Sequence, residues 1–224
     1  MFWWFLIFAV VIIGVIVAAL IIYHRDNRKR AQMALMEASK KKEENPSYAI
    51  EEVINTFAEM GEPLIKDYVV SNNEANADIP SFNIKYIYLS KRGIYVIDCN
   101  NSKGRIIGTV DSDYWIKEDG FETAIKNPVI PNAKRADFIS RILKRNYQVY
   151  NLIVFTAGDL TKTVTDNNVI NISELQNFIQ KRDTKYDDLE LAEIKRTLDE
   201  YQEENNITIQ EHRRNLERYP NIPE

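Results

Sequence analysis

The sequence predicts an α/β domain, a mixed β-sheet flanked by helices, behind one N-terminal transmembrane helix and ahead of a C-terminal helical tail. Three observations lead there. Phe2 to Tyr23 is a run of 22 apolar residues interrupted only by Gly14. Between residues 84 and 172 the apolar residues form short β-branched and aromatic runs separated by turn residues, with a helical period set among them. From about residue 187 charge dominates, and the apolar residues narrow to a stripe.

The apolar run would span roughly 33 Å as a helix, enough to cross a hydrocarbon core of ~30 Å. It is too long for the apolar region of a cleaved signal peptide, and no basic side chain precedes it. Trp3, Trp4 and Tyr23 stand at its ends, where interfacial aromatics belong. Arg25, Arg28, Lys29 and Arg30 follow directly. Positive flanks stay cytoplasmic, so the expected topology is a single pass through the cell membrane, N-terminus outside and C-terminal domain inside. The expected organisation is a transmembrane helix over 2–23, a basic juxtamembrane stalk over 24–46, an α/β domain over 47–182 and an acidic tail over 183–224.

The periodicity justifies each element in order. Ile50, Val53, Ile54, Phe57, Met60, Leu64 and Ile65 recur every three or four residues and predict a helix from about Ser47, with Gly61-Glu62-Pro63 as its weak point. Residues 71–81 read as a loop. Ile84–Leu89 and Ile94–Ile97 predict a β-hairpin, with Gly93 taking a left-handed turn position. Ile106–Val110 and Tyr114–Lys117 predict two more strands. A helix is expected over 129–145, a buried strand over 148–156, a short strand over 169–172 and a helix from Ser173 to Gln180 opened by a Ser173/Gln176 capping box. The tail carries Leu191, Ile194, Leu198 and Tyr201 at helical spacing, a stripe that docks on the domain or pairs with a second copy.

Composition removes whole classes of chemistry. The 224 residues include one cysteine and two histidines, which excludes an intramolecular disulfide, a multi-cysteine zinc site and His-rich metal centres. The net charge of −4 divides into an uncharged 1–24, a +5 collar over 25–42 and −9 over 43–224. An acidic domain disfavours a nucleic-acid partner, whose phosphates call for a basic face. Lys134, Arg135, Arg141, Lys144 and Arg145 do cluster on one helix, but with Asp137 beside them they read as a solvated face.

Residues 83–108 (NIKYIYLSKRGIYVIDCNNSKGRIIG), with Gly-Glu-Pro-Leu at 61–64 upstream and Trp115 and Asn127-Pro128 downstream, resemble the NERD (nuclease-related) domain over about Phe57 to Arg182. The resemblance implies a PD-(D/E)xK nuclease-like core, in which carboxylates on adjacent strands hold Mg²⁺ and a lysine two positions on helps position the nucleophile. The family pattern places site residues at Glu62, Lys85, Asp98 and Asn100. It has a glutamate at the first, kept here. It has an aspartate at the second, where this chain has lysine; a glutamate at the third, where it has Asp98; and a lysine at the fourth, where it has asparagine. The glutamine after Asn-Pro falls on Pro131. If Leu89 pairs with Ile94, Lys85 lies opposite Asp98 as a self-neutralising ion pair. Cys99 then points to the other face as a small core residue.

Three functions follow. The first is a catalytically degenerate NERD-like domain at the inner membrane face, with a binding or scaffolding role and no cofactor. The second is a Mg²⁺-dependent DNA or RNA nuclease with a rearranged site, using Asp98 and Glu62, with Asp78 or Asp111, as metal ligands and Lys85 as the lysine. The third is a structural protein that pairs with a protein partner or a second copy through the C-terminal helix.

Overall fold

The computed structural model describes residues 62–73, 79–161 and 168–218, together with Ile50, Glu51, Ile54, Asn55 and Ala58. The expected membrane span over 2–23 and the stalk over 24–46 lie outside these residues. Among those described, no helix is long and apolar enough to cross a membrane.

The strands are β1 (Leu64–Ser71), β2 (Ser81–Ser90), β3 (Gly93–Asn100), β4 (Gly104–Ile107), β5 (Tyr114–Glu118), β6 (Glu122–Lys126), β7 (Val149–Phe155), β8 (Gly158–Asp159) and β9 (Val169–Asn171). The α-helices are α1 (Val129–Ile142), α2 (Leu175–Gln180), α3 (Asp188–Asn205) and α4 (Ile209–Arg218). The mixed α/β expectation holds, but the strands form two mixed sheets, where the sequence suggested one. A five-stranded sheet runs β1-β2-β3-β7-β9 and a four-stranded one β6-β5-β4-β8. In the first, β1, β2 and β3 are antiparallel and β7 and β9 join in parallel.

Helices cover both faces of the larger sheet. On one face Phe138 and Ile139 of α1 and Leu191, Ile194 and Leu198 of α3 pack against Ile84, Ile87, Ile94 and Val96. On the other, Ile50 and Ile54 join Leu175 and Ile179 of α2 against Tyr86, Tyr88, Tyr95 and Leu152. The smaller sheet closes around Trp115, which stacks on Phe155 at 6.3 Å and donates its indole N–H to the Thr109 carbonyl at 2.8 Å. The tail stripe therefore docks on its own domain. At roughly 2 kcal/mol for each fully buried aliphatic side chain, Leu191, Ile194 and Leu198 make α3 part of the core. Asp187 and Glu190 form a reciprocal capping box at its start.

Several expectations are corrected. Leu64 and Ile65 do not continue a helix. They open β1, because Pro63 ends the preceding segment and the LIKDYVVS run favours extended backbone. β6 (ETAIK) has no counterpart in the sequence expectation, because its side chains are largely exposed and carry no apolar alternation. Gly93 does take the expected positive φ, +150, a backbone conformation that L side chains rarely adopt. It is required because an added Cβ would lie 2.4 Å from the Tyr150 ring. The capping box before α2 is Asn171/Glu174 around a short 3₁₀ turn, two residues earlier than expected. Helix α1 ends at Ile142, and Lys144 and Arg145 turn away with φ +53 and +59.

The feature that shapes the site is a paired kink in β1 and β2. In β1, Ile65 and then Tyr68 and Val70 face the same core cluster; in β2, Ile84 and then Ile87 and Leu89 do so. Strict alternation would put odd and even residues on opposite faces. Each strand therefore changes face once, at Asp67 in β1 and at Lys85 in β2. The β1–β2 register continues unchanged on either side, from Lys66↔Tyr86 to Tyr68↔Ile84. Asp67 takes φ +49 at this point, a conformation uncommon for a residue with a Cβ. Beyond the kink β2 stays with β1, and its ladder with β3 stops at Tyr86↔Ile97.

Candidate functional site

Where β2 parts from β3, the last residues of β3 pair only with β7: Asp98 with Ile153, Cys99 with Val154 and Asn100 with Phe155. This end of β3 carries two of the positions singled out in the sequence. The start of α1 packs beside it, held by two asparagines. Asn127 donates to the carbonyls of Val110 at 2.8 Å and Ser112 at 2.7 Å, and its Oδ1 accepts the Val129 N–H at 2.9 Å. It thus ties the turn before β5 to the first helical turn, and Pro128 supplies a helix-compatible φ of −76. Buried Asn132 donates to the Val96 carbonyl at 2.9 Å and to Asn151 Oδ1 at 2.6 Å, which pins α1 across β3 and β7.

Arg135, one helical turn after Asn132, brings its guanidinium to 3.8 Å from the Asp98 carboxylate. Its side chain is 20% exposed and that of Asp98 is 34% exposed. Burial pushes the Asp98 carboxyl above its ordinary value, while Arg135 and the N–H of Cys99 pull it back. Arg135 is not on the solvated face that the sequence suggested. That description fits Arg141 and Arg145, which both pair with Asp137. Arg135 is four residues before Ile139, which the sequence already placed inward, and so lies at the edge of the inward stripe.

Lys85 does not meet Asp98. The kink turns it to Asp67, 2.7 Å away, in an exposed pair. Leu89 does pair with Ile94, as expected, but the ladder ends one pair before Lys85 and Asp98 would be opposite. Asn100 caps the end of its strand: its Oδ1 accepts the Ser102 N–H at 2.8 Å. Cys99 points away from Asp98 into the second core cluster, and burial first, then the Asp98 charge, pushes its thiol well up.

Glu62 belongs to a different place. It is 5% exposed and sits at the turn end of the hairpin, accepting from the Tyr88 hydroxyl, the Ser90 hydroxyl at 3.3 Å and the Lys91 N–H at 3.1 Å. Burial and the bond to Glu62 hold the Tyr88 hydroxyl far above its ordinary value. From the turn to Asp98 is five residues of β3, roughly 16 Å, so these two carboxylates cannot share an ion. Asp111 lies in the turn before β5, and Asp78 and Gly61 lie outside the described residues.

A model of the family described as nuclease-related domain (NERD) matches residues 39–156, more than half of the chain. The chain belongs to this family. The match begins earlier than the resemblance read from the sequence and ends at the close of β7, before α2. No curated protein and no solved structure matches the chain.

The NERD family's nuclease relationship implies a divalent metal held by acids. The donor set does not fit one: among the described residues no three His, Cys, Asp or Glu side chains converge. Asp98 faces a guanidinium, Lys85 brings a second cation to the motif position that should be acidic, and Glu62 has all its bonds at the hairpin turn.

Proposed function

We propose that the chain is a membrane-anchored NERD-family protein whose cytoplasmic domain is catalytically degenerate and acts by binding or scaffolding. One observation carries this reading: the Asp98 carboxylate, at the motif position where a metal ligand is expected, lies against Arg135 instead of a second carboxylate. Lys85 paired with Asp67 at the other acidic motif position supports it, since an ion pair neutralises the charge that would attract a dication. The 22-residue apolar run and the basic residues after it support anchoring with the domain inside. A partner engaging the C-terminal helices would use a surface other than the Leu191–Leu198 stripe, which the domain itself covers.

The second reading is a divalent-metal-dependent nuclease with a rearranged site, favoured by retention of a carboxylate at Asp98 near a neighbouring cation. The test is incubation of the detergent-solubilised full chain with DNA and RNA in Mg²⁺ or Mn²⁺, beside Asp98→Ala. Degeneracy predicts no cleavage beyond that of the variant. Cleavage that Asp98→Ala abolishes would establish the nuclease and overturn the proposal.

A further inference from the structure

A cavity of about 280 Å³ opens beside the Asp98–Arg135 pair, between the outer end of β2, the start of α1 and α4. Ile79, Phe82, Pro131, Ile209 and Leu216 give it apolar walls, and two arginines, Arg135 and Arg213, line it with them. The α4 wall is fastened to the sheet. Ser81 Oγ and His212 Nδ1 are 2.8 Å apart, and Asn215 donates to the same hydroxyl at 3.3 Å. Val70 and Asn206 form a backbone bridge just before the helix begins.

The polar groups of this cavity are incompletely used. Arg213 has no acidic partner among the described residues. Arg135 is 3.8 Å from Asp98, an electrostatic contact too long for a hydrogen bond, so its donors remain available. The Asn83 side-chain carbonyl, on the cavity wall, is buried with no hydrogen-bond partner. A buried acceptor without a donor is costly and is normally satisfied by something.

We infer that this cavity is a binding site for a small amphipathic anion: a carboxylate or phosphate group held by Arg135 and Arg213, with an apolar body against Phe82, Pro131, Ile209 and Leu216. A ligand that carries a hydrogen-bond donor as well would satisfy the Asn83 carbonyl and bind more tightly than one without it. The volume sets the size, being about that of nine liquid water molecules, so the site takes a compact ligand and not a nucleic-acid strand. Guanidinium groups match carboxylate and phosphate oxygens in their planar, two-pronged geometry. The inference deepens the non-catalytic binding role proposed above and rests on it. The face where related nucleases gather acids around a cation carries, in this chain, cations around an anion.

The experiment is isothermal titration of the full chain in zwitterionic-lipid nanodiscs, in EDTA, with phenyl phosphate, benzoate and inorganic phosphate as probes. Phenyl phosphate or benzoate should bind at one site per chain and at least tenfold more tightly than inorganic phosphate, and the stronger of the two identifies the preferred head group. Arg213→Gln, at an exposed position that does not threaten folding, should weaken binding about tenfold, and Arg135→Gln should do the same. The inference is overturned if no probe binds at about 5 mM. Equal binding of inorganic phosphate and phenyl phosphate, or indifference to Arg213→Gln, would also overturn it. Binding that appears only when Mg²⁺ replaces EDTA would defeat the degenerate reading as well, whereas simple absence of binding would leave that reading standing.

Discussion

Replacing Glu62 by alanine should unfold the hairpin end of the domain more readily than any surface change, although the motif makes Glu62 look like a metal ligand. The carboxylate receives three donors, and two of them, on Tyr88 and Ser90, belong to fully buried residues. A buried donor left without an acceptor costs about 1–3 kcal/mol. The Lys91 N–H is only part-buried, so water can replace its partner at a smaller cost. The loss comes to about 4 kcal/mol, a large share of an ordinary stability of roughly 5–15 kcal/mol. For a domain of this size it corresponds to a fall in Tm of about 8–16 °C. Glu62→Gln keeps the shape and one acceptor oxygen and should lose about 1–2 kcal/mol. Tyr88→Phe in the Glu62→Ala background should cost less than in the parent, because the hydroxyl that has lost Glu62 leaves with it. Thermal and urea unfolding of the solubilised chain measure all four. A Tm for Glu62→Ala within about 2 °C of the parent would refute the structural role assigned to this carboxylate.

Other perturbations probe the kink, the second sheet and the site. Asp67→Gly relieves the positive φ and loses an exposed ion pair, two effects of about 1 kcal/mol with opposite sign, so urea unfolding should find it nearly neutral. A β-branched residue tolerates positive φ worst, and Asp67→Val should cost about 1–3 kcal/mol in the same measurement. Gly108→Ala places a Cβ 2.2 Å from the Trp115 ring. It should displace the indole, break its bond to Thr109 and cost about 1–3 kcal/mol, visible as a shifted Trp115 N–H resonance. Asp98 has a raised carboxyl pKa in the folded chain, so the folded state binds a proton more readily than the unfolded one. Its contribution to stability is complete below the ordinary value of about 3.9 and is lost as pH rises through the raised folded value. On acidification from neutral pH toward about 4, the parent should therefore gain Tm relative to Asp98→Asn. An unchanging difference between the two would contradict this environment for Asp98.

The hairpin, its two-residue turn and the parallel strand beside it were legible because their residues are apolar on both faces and bounded by turn residues. The tail stripe and the helix over 129–142 were legible from their period. The kink was not. Asp67 and Lys85 change the face of two strands while leaving the register intact, and a one-dimensional pattern shows only that two charged residues interrupt an apolar run. The expected Lys85–Asp98 pair failed for this reason: the register was right and the two strands had already separated. β6 was hidden because an exposed edge strand has no apolar alternation to report. Glu62 shows the converse limit. Its identity was kept, but the sequence could not reveal that Tyr88, Ser90 and Lys91 would claim it.

The central claim is that Asp98 faces a guanidinium and does not serve as a metal ligand. Titration of Mn²⁺ into the full chain, followed by the loss of free-ion EPR signal, tests it most directly. The account predicts no site occupied below about 1 mM, and identical curves for the parent and Asp98→Ala. One Mn²⁺ bound per chain at lower concentration, and released by Asp98→Ala, would contradict it.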